Sequence, residues 1–155
     1  MSDVTTNKNY LAAQTFKVTI SAKKFANLEY FCTTVALPSI TLGPVNMPFR
    51  GHQNSVAGEK VEYTPFTMQF QVSENMENYS ELFNWILLNS QEDAFQKADI
   101  ILHILDSSNN VIKQIQFVDA FPTAIGSIQF STQNADVQYV TCDTSFNYSY
   151  FRFLK

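Results

Sequence analysis

Period two dominates the chain. Phe16, Val18 and Ile20 alternate with Thr15, Lys17, Thr19 and Ser21, the pattern of a strand with one buried face. Residues 22–27 read as a turn carrying Lys23 and Lys24, and Leu28 to Leu37 as a second strand. Apolar residues fall on both of its faces, so it predicts cover on both sides. Pro38, Gly43, Pro44 and Pro48 punctuate the next segment. It can be extended, although proline donates nothing to a sheet ladder. Residues 49–58, FRGHQNSVAG, hold two glycines among polar side chains and read as an exposed loop of the kind that carries contacts. An extended pattern resumes at Glu59–Tyr63. Phe66, Met68, Phe70 and Val72 then alternate cleanly with Thr67, Gln69, Gln71 and Ser73.

One stretch changes period. Residues 75–90, NMENYSELFNWILLNS, predict a helix capped by Asn75 or Ser73, with Glu77 in its first turn. Met76, Tyr79, Phe83, Ile86 and Ser90 follow three-and-four spacing, widened by Leu82 and Leu87. Trp85 and Leu88 lie off that stripe, so the apolar surface wraps more than half the helix. Strands follow at 99–105 and 111–118, joined by a turn at Asp106–Asn110. Phe121-Pro122 opens a connector, 128–131 reads as a short strand and 133–136 as a turn. A last strand spans 137–153, where a phase change suggests a bulge near 141–144. The sum is a mainly β protein, a two-sheet sandwich or barrel with one flanking helix. Residues 1–13 read as a flexible arm before a single domain, 14–155.

Composition sharpens this picture. Charged residues are only 15% of the 155, and Ser, Thr, Asn and Gln supply 50. With 14% aromatic residues, the chain is neither disordered nor a coiled coil. The net charge of −4 with ten basic residues spread along the chain excludes a tight nucleic-acid binder, which needs clustered Lys and Arg. No apolar run approaches a membrane span, and residues 1–10 show no signal peptide. Cys32 and Cys142 read as buried free thiols, with a bridge between them possible.

Catalytic chemistry finds no foothold. His103 sits among Ile and Leu, and His52 has no Cys or His at metal spacing. No nucleophile elbow or phosphate loop is present, and the chain has only four glycines. Glu74, Glu77 and Glu81 read better as a solvated helix face than as paired catalytic carboxylates. The expectation is a protein that is not an enzyme and needs no cofactor or metal. What stands out is an excess of buried-type residues over one small core. Association of copies would cover them; a well-packed monomer with the helix on one face is the alternative.

Several segments together resemble the tail tube proteins of contractile-tailed bacteriophages: FKVTIS (16–21), YFCTTVALPSITLGPVNMPF (30–49), SVAGEKVEYTPFTMQFQV (55–72), ENYSELFNWI (77–86) and FVDAFPTAIGSIQF (117–130). Ala36-Leu37-Pro38 leads into the proline-containing segment, Val56 to Lys60 forms the Val-Ala-Gly-acid-base run, and Phe121 to Gly126 the aromatic-Pro-Thr turn. Ser39 departs from the family, where glycine often follows Leu-Pro. The resemblance implies a hexameric ring whose inner strands join one closed β-barrel. It implies rings stacked into a tube for genome ejection, an architecture shared with the type VI secretion tube protein. A baseplate tube initiator or a tube-capping paralogue has the same fold. A monomeric β-sandwich binding module is the alternative from another class.

The resemblance also implies partners: further copies, a tail sheath, baseplate and tail terminator proteins, and DNA as transient cargo, with no membrane. The location would be the virion tail, after assembly in the host cytoplasm. Candidate ring-stacking or subunit contacts are Phe49, Arg50, Gly51, His52, Gln53, Asn54, Ser55, Val56, Ala57 and Gly58, with Arg50 available for a salt bridge to the next ring. Candidate lumen-facing residues are Glu29, Thr33, Asn46 and Gln114. Trp85 and Leu88 are candidate helix contacts to a neighbour or a sheath.

Overall fold

The computed structural model describes residues 10–21, 31–91, 95–133 and 135–154. Nine strands and one helix occur among them: β1 (Phe16–Ile20), β2 (Cys32–Ala36), β3 (Ile40–Phe49), β4 (His52–Tyr63), β5 (Phe66–Gln71), α1 (Glu77–Asn89), β6 (Ala98–Leu105), β7 (Val111–Ile125), β8 (Thr141–Asn147) and β9 (Tyr150–Phe153). Hydrogen bonds run along the path β1-β6-β7-β8-β5-β2, with β9 also on β7, and β3 and β4 form a separate two-stranded sheet.

The long strand β7 divides the main path into two layers. Its residues 111–120 pair with β6, with 115–118 also on β9, and its residues 121–125 pair with β8. Between them Asp119 has φ of 55°, a conformation that Asp tolerates better than most residues. Its N–H donates to Asp99 Oδ1 at 3.1 Å, and Gln116 Nε2 donates to the other oxygen of that carboxylate at 2.8 Å. One carboxylate thus satisfies the bent backbone and the strand beside it. The Phe121-Pro122 segment, read as a connector, is therefore strand.

The two layers face each other. Phe66 of β5 lies 4.5 Å, centroid to centroid, from Phe117 of β7. The core joins Val18, Ile20, Ile100, Leu102, Ile115 and Phe117 of one layer to Phe66, Met68, Phe70, Cys142 and Phe146 of the other. The alternation at 16–20 and 66–70 places these side chains inward as expected.

Four other readings need correction. The strand expected over 137–153 is two strands, β8 and β9, on different layers. The phase change marks this switch of layer, and β8 pairs with β5 without a bulge. Residues 127–131 form no strand. The helix buries Asn78, Leu82 and Trp85, while Phe83 and Leu87 stay about half exposed. Its buried face is therefore rotated from the expected stripe. Finally, Met76 occupies the N-cap with φ of 55° and no side-chain cap. Asn75 Oδ1 accepts only a long hydrogen bond, 3.4 Å, from the Glu77 N–H. The expected turn at 22–27 and the start of the second strand lie outside the described residues.

Candidate assembly surfaces

Residues 49–58 are not a loop. They form the tip of a two-stranded antiparallel ribbon, with Phe49 opposite His52 and Val45 opposite Val56. Arg50 (φ 41°) and Gly51 (φ 83°) make the turn, and two positive φ values in a two-residue connection match the twist of a hairpin. Polar composition hid this ribbon, because its strands pair with each other and bury almost nothing.

The ribbon is an arm. At its base the Thr64 N–H donates to the Ser39 carbonyl, closing the ribbon, and the Tyr148 hydroxyl donates to the Thr64 carbonyl at 2.7 Å, tying it to the rest of the chain. Tyr63 packs there against Phe151, with centroids 5.4 Å apart. Further out, Ile40, Leu42, Val45, Met47, Phe49, Val56 and Val61 are all exposed. The apolar phase changes from even to odd numbers of β3 where the register shifts between Leu42 and Pro44. Gly58 faces this shift, and a β-carbon there would collide with the Gly43 carbonyl oxygen. The Lys60–Glu62 ion pair, 3.0 Å long, is largely in solvent and worth little.

A second surface is the outer face of the layer β7-β8-β5-β2. Its inward residues are Phe66, Met68, Phe70, Cys142, Thr144 and Phe146. By alternation its outward residues are Thr67, Gln69 and Gln71 on β5, with Thr141, Asp143 and Ser145 opposite them on β8. Thr34 and Ala36 of β2 lie beside Gln69 and Thr67. This face is neutral and polar, and Asp143 is its one formal charge among the described residues. Gln69 Nε2 donates to Asp143 Oδ1 at 3.0 Å. A shallow depression of about 360 Å³ runs across these residues.

The expected lumen candidates do not share that face. Thr33 is the bulged residue of β2 and donates to the Gln69 carbonyl. Asn46 lies in the arm, bonded to Ser55 at 3.0 Å. Gln114 lies on the other layer, opposite His103. Glu29 is outside the described residues. Of the helix candidates, Leu88 is exposed. Trp85 is only 1% exposed, lies 5.9 Å from the Phe146 ring and donates its indole N–H to the Gln96 carbonyl. Trp85 is thus core rather than a contact surface.

Sequence reasoning missed Asn78. Fully buried, it accepts from the Ser73 N–H and hydroxyl and donates to the Gln71 carbonyl at 2.7 Å, tying the end of β5 to the start of α1. The only signal was an Asn just after the expected caps. Cys32 and Cys142 are free thiols. Burial pushes the Cys32 thiol up to about 12 and raises that of Cys142 as well.

The model of the phage tail tube protein family matches residues 3–154. The chain belongs to that family. It is 28% identical over 131 residues to the tail tube terminator protein of Enterobacteria phage T4, covering 77% of this chain and 74% of that protein. A chain of the six-fold-symmetrised baseplate of the anti-feeding prophage superposes with a TM-score of 0.77 at 15% identity, covering 96% of this chain and 97% of that one. A type six secretion system protein does so at 0.56 and 11% identity, covering 89% and 82%. The two structures establish a shared fold. The T4 relative is a tail tube terminator and the anti-feeding prophage chain belongs to a baseplate, structural components rather than enzymes.

Proposed function

We propose that six copies of this chain form a ring in which their β7-β8-β5-β2 layers join edge to edge into one closed barrel around a channel. Such rings stack into a tail tube through which a phage genome passes. One observation carries the reading: among the described residues, this layer has an open edge on each side and a neutral polar outer face. Among the described residues, β2 pairs only with β5, and residues 121–125 of β7 pair only with β8. Open edges invite pairing with another chain. All three pairings are antiparallel, so β2 and β7 run in opposite directions. A junction between copies is then antiparallel too, and the pattern closes without a fault.

The dimensions suit a channel. Twenty-four strands about 4.8 Å apart give a circumference of roughly 115 Å and a width of about 37 Å, which strand tilt increases. Side chains reaching about 5 Å inward from each wall leave roughly 27 Å. A wall of Thr, Gln and Ser with Asp143 offers nothing cationic to hold phosphate. The lumen-facing residues of this reading are therefore Thr34, Thr67, Gln69, Asp143 and Ser145. The arm makes the contacts between copies, a sheath surrounds the tube, and baseplate and terminator proteins close its ends. The protein's place is the virion tail, with DNA as passing cargo.

A second reading follows from the T4 relative, a tail tube terminator protein: the same ring ends the tube instead of propagating it. Native mass spectrometry and negative-stain imaging of the purified chain test both. Particles of six times 17.6 kDa with a central hole are expected. Long tubes mark a repeating subunit, and single rings mark a terminator. A persistent monomer refutes the ring.

A further inference from the structure

Strand β7 changes layer within a few residues. Its pairing with β6 ends at Ala120, and its pairing with β8 begins at Phe121. At this hand-over the register slips: Ala98 faces Ala120, but Ile100 faces Phe117. One more residue is spent on β7 than on β6, which makes a bulge, and a bulge turns its strand and strengthens the local twist. Asp119 takes the left-handed position in it, with φ of 55°, where glycine is the usual occupant.

Asp99 stands opposite the bulge, between Ala98 and Ile100. The extra residue of a bulge is left out of the ladder, and here the Asp119 N–H donates instead to Asp99 Oδ1 at 3.1 Å. Asp99 Oδ2 accepts from Gln116 Nε2 at 2.8 Å. Gln116 Oε1 in turn accepts from two guanidinium nitrogens of Arg152 on β9, at 3.0 and 2.9 Å. The Asp99 backbone is held as well: its N–H donates to Ser21 Oγ, and its carbonyl accepts from the Ser21 N–H, both at 2.9 Å. The carboxylate is thus fixed from the residue after β1 and tied across β7 to β9.

We propose that Asp99 is the positioning residue for the ring junction. By clamping the bulge it sets the direction in which residues 121–125 present their edge to the next copy. The proposal rests on the ring reading and names the residue that governs closure. Asp119 lies two residues before Phe121, so the turn at the bulge passes directly to that edge. In a closed ring the same junction recurs at every copy, and an angular error at one is repeated around the circle. The aim of the edge therefore matters more to closure than to the stability of a single copy.

Native mass spectrometry of the purified full-length chain over a concentration series tests this, beside Asp99→Ala, Asp99→Asn, Asp119→Val and Asp119→Gly variants. It is run at a temperature where near-ultraviolet circular dichroism shows the proteins folded. Asp99→Ala removes the acceptor of the Asp119 N–H, and a β-branched residue at 119 resists a positive φ. Both are expected to raise the concentration for half-assembly at least tenfold and to replace the single ring species with a spread of copy numbers. Asp99→Asn keeps an acceptor for that N–H and should fall between these and the unmodified chain. Asp119→Gly keeps the amide and suits the left-handed position, so it should close rings as the unmodified chain does. Folded Asp99→Ala or Asp119→Val protein that closes rings at the usual concentration overturns the proposal. So does folded Asp119→Gly protein that fails to close them, because the backbone turn would then not be what matters. A loss of assembly that only tracks the loss of folded protein also overturns it, reducing Asp99 to a stabilising contact. An unmodified chain that stays monomeric refutes the ring reading itself, and the positioning role with it.

Discussion

Replacing Asn78 with alanine tests how the helix is anchored to the β7-β8-β5-β2 layer. The side chain is inaccessible to solvent. Its amide nitrogen donates to the Gln71 carbonyl at 2.7 Å, and its oxygen accepts from the Ser73 N–H at 3.2 Å. Alanine strands one part-buried acceptor and one part-buried donor, and each group left unsatisfied costs up to about 1–3 kcal/mol. The expected loss is therefore about 2–5 kcal/mol. For a domain of this size, about 2–4 °C per kcal/mol converts that into a fall in Tm of roughly 4–20 °C. Urea unfolding at fixed protein concentration, followed by circular dichroism, measures it. The midpoint should fall with the slope unchanged. Ser80→Ala is the control: its hydroxyl bonds the Met76 carbonyl on the exposed side, and the loss should stay within about 0.5 kcal/mol. If Asn78→Ala also changes stability by less than about 0.5 kcal/mol, the junction is held by something else.

Other outcomes follow from the same geometry. Gly58→Val should distort the arm at the Gly43 carbonyl and abolish ring stacking in micrographs; normal tubes would contradict the close approach there. Gln69→Lys with Ser145→Lys puts twelve cations on the channel wall of each proposed ring. The variant rings should retard DNA in a gel in a salt-sensitive way, whereas unmodified rings should not; equal behaviour would remove these residues from the lumen. Stability should also fall at alkaline pH. Burial holds the Cys32 thiol at about 12, against an ordinary 9.0. Burial, then the neighbouring Tyr63, holds the Tyr148 hydroxyl at about 12, against 10.0. Both shifts favour the neutral form in the fold. Their contribution is complete below pH 9 and is lost as pH rises through 12. The urea midpoint should drop across that window, less steeply above pH 10 in Tyr148→Phe, and a flat profile would refute the assignment.

Strands β1 and β5 were legible because burial on one side imposes strict alternation on neighbouring residues. The helix was legible as a helix, but its buried face was not. Phe83 and Leu87 are as apolar as Leu82, and only the position of Phe146 and the Gln96 carbonyl decides that Trp85 turns inward. The arm was illegible for the opposite reason. Its two strands satisfy each other's backbone and leave their side chains in solvent, so no alternation marks its tip. Arg50 also stands at a turn position where Asn or Gly is the usual signal.

Order along the chain therefore determined which segments extend, where the one helix among the described residues falls, and that neutral polar side chains dominate. Each depends on contacts among near neighbours or on composition. Pairing of strands far apart decided the rest: that β7 turns near Asp119 to serve two layers, that the last strand divides between them, and that, among the described residues, one face of Thr, Gln and Ser is left bare beside two open edges. Those outcomes are set by which backbones meet, and no local pattern of residues carries that information.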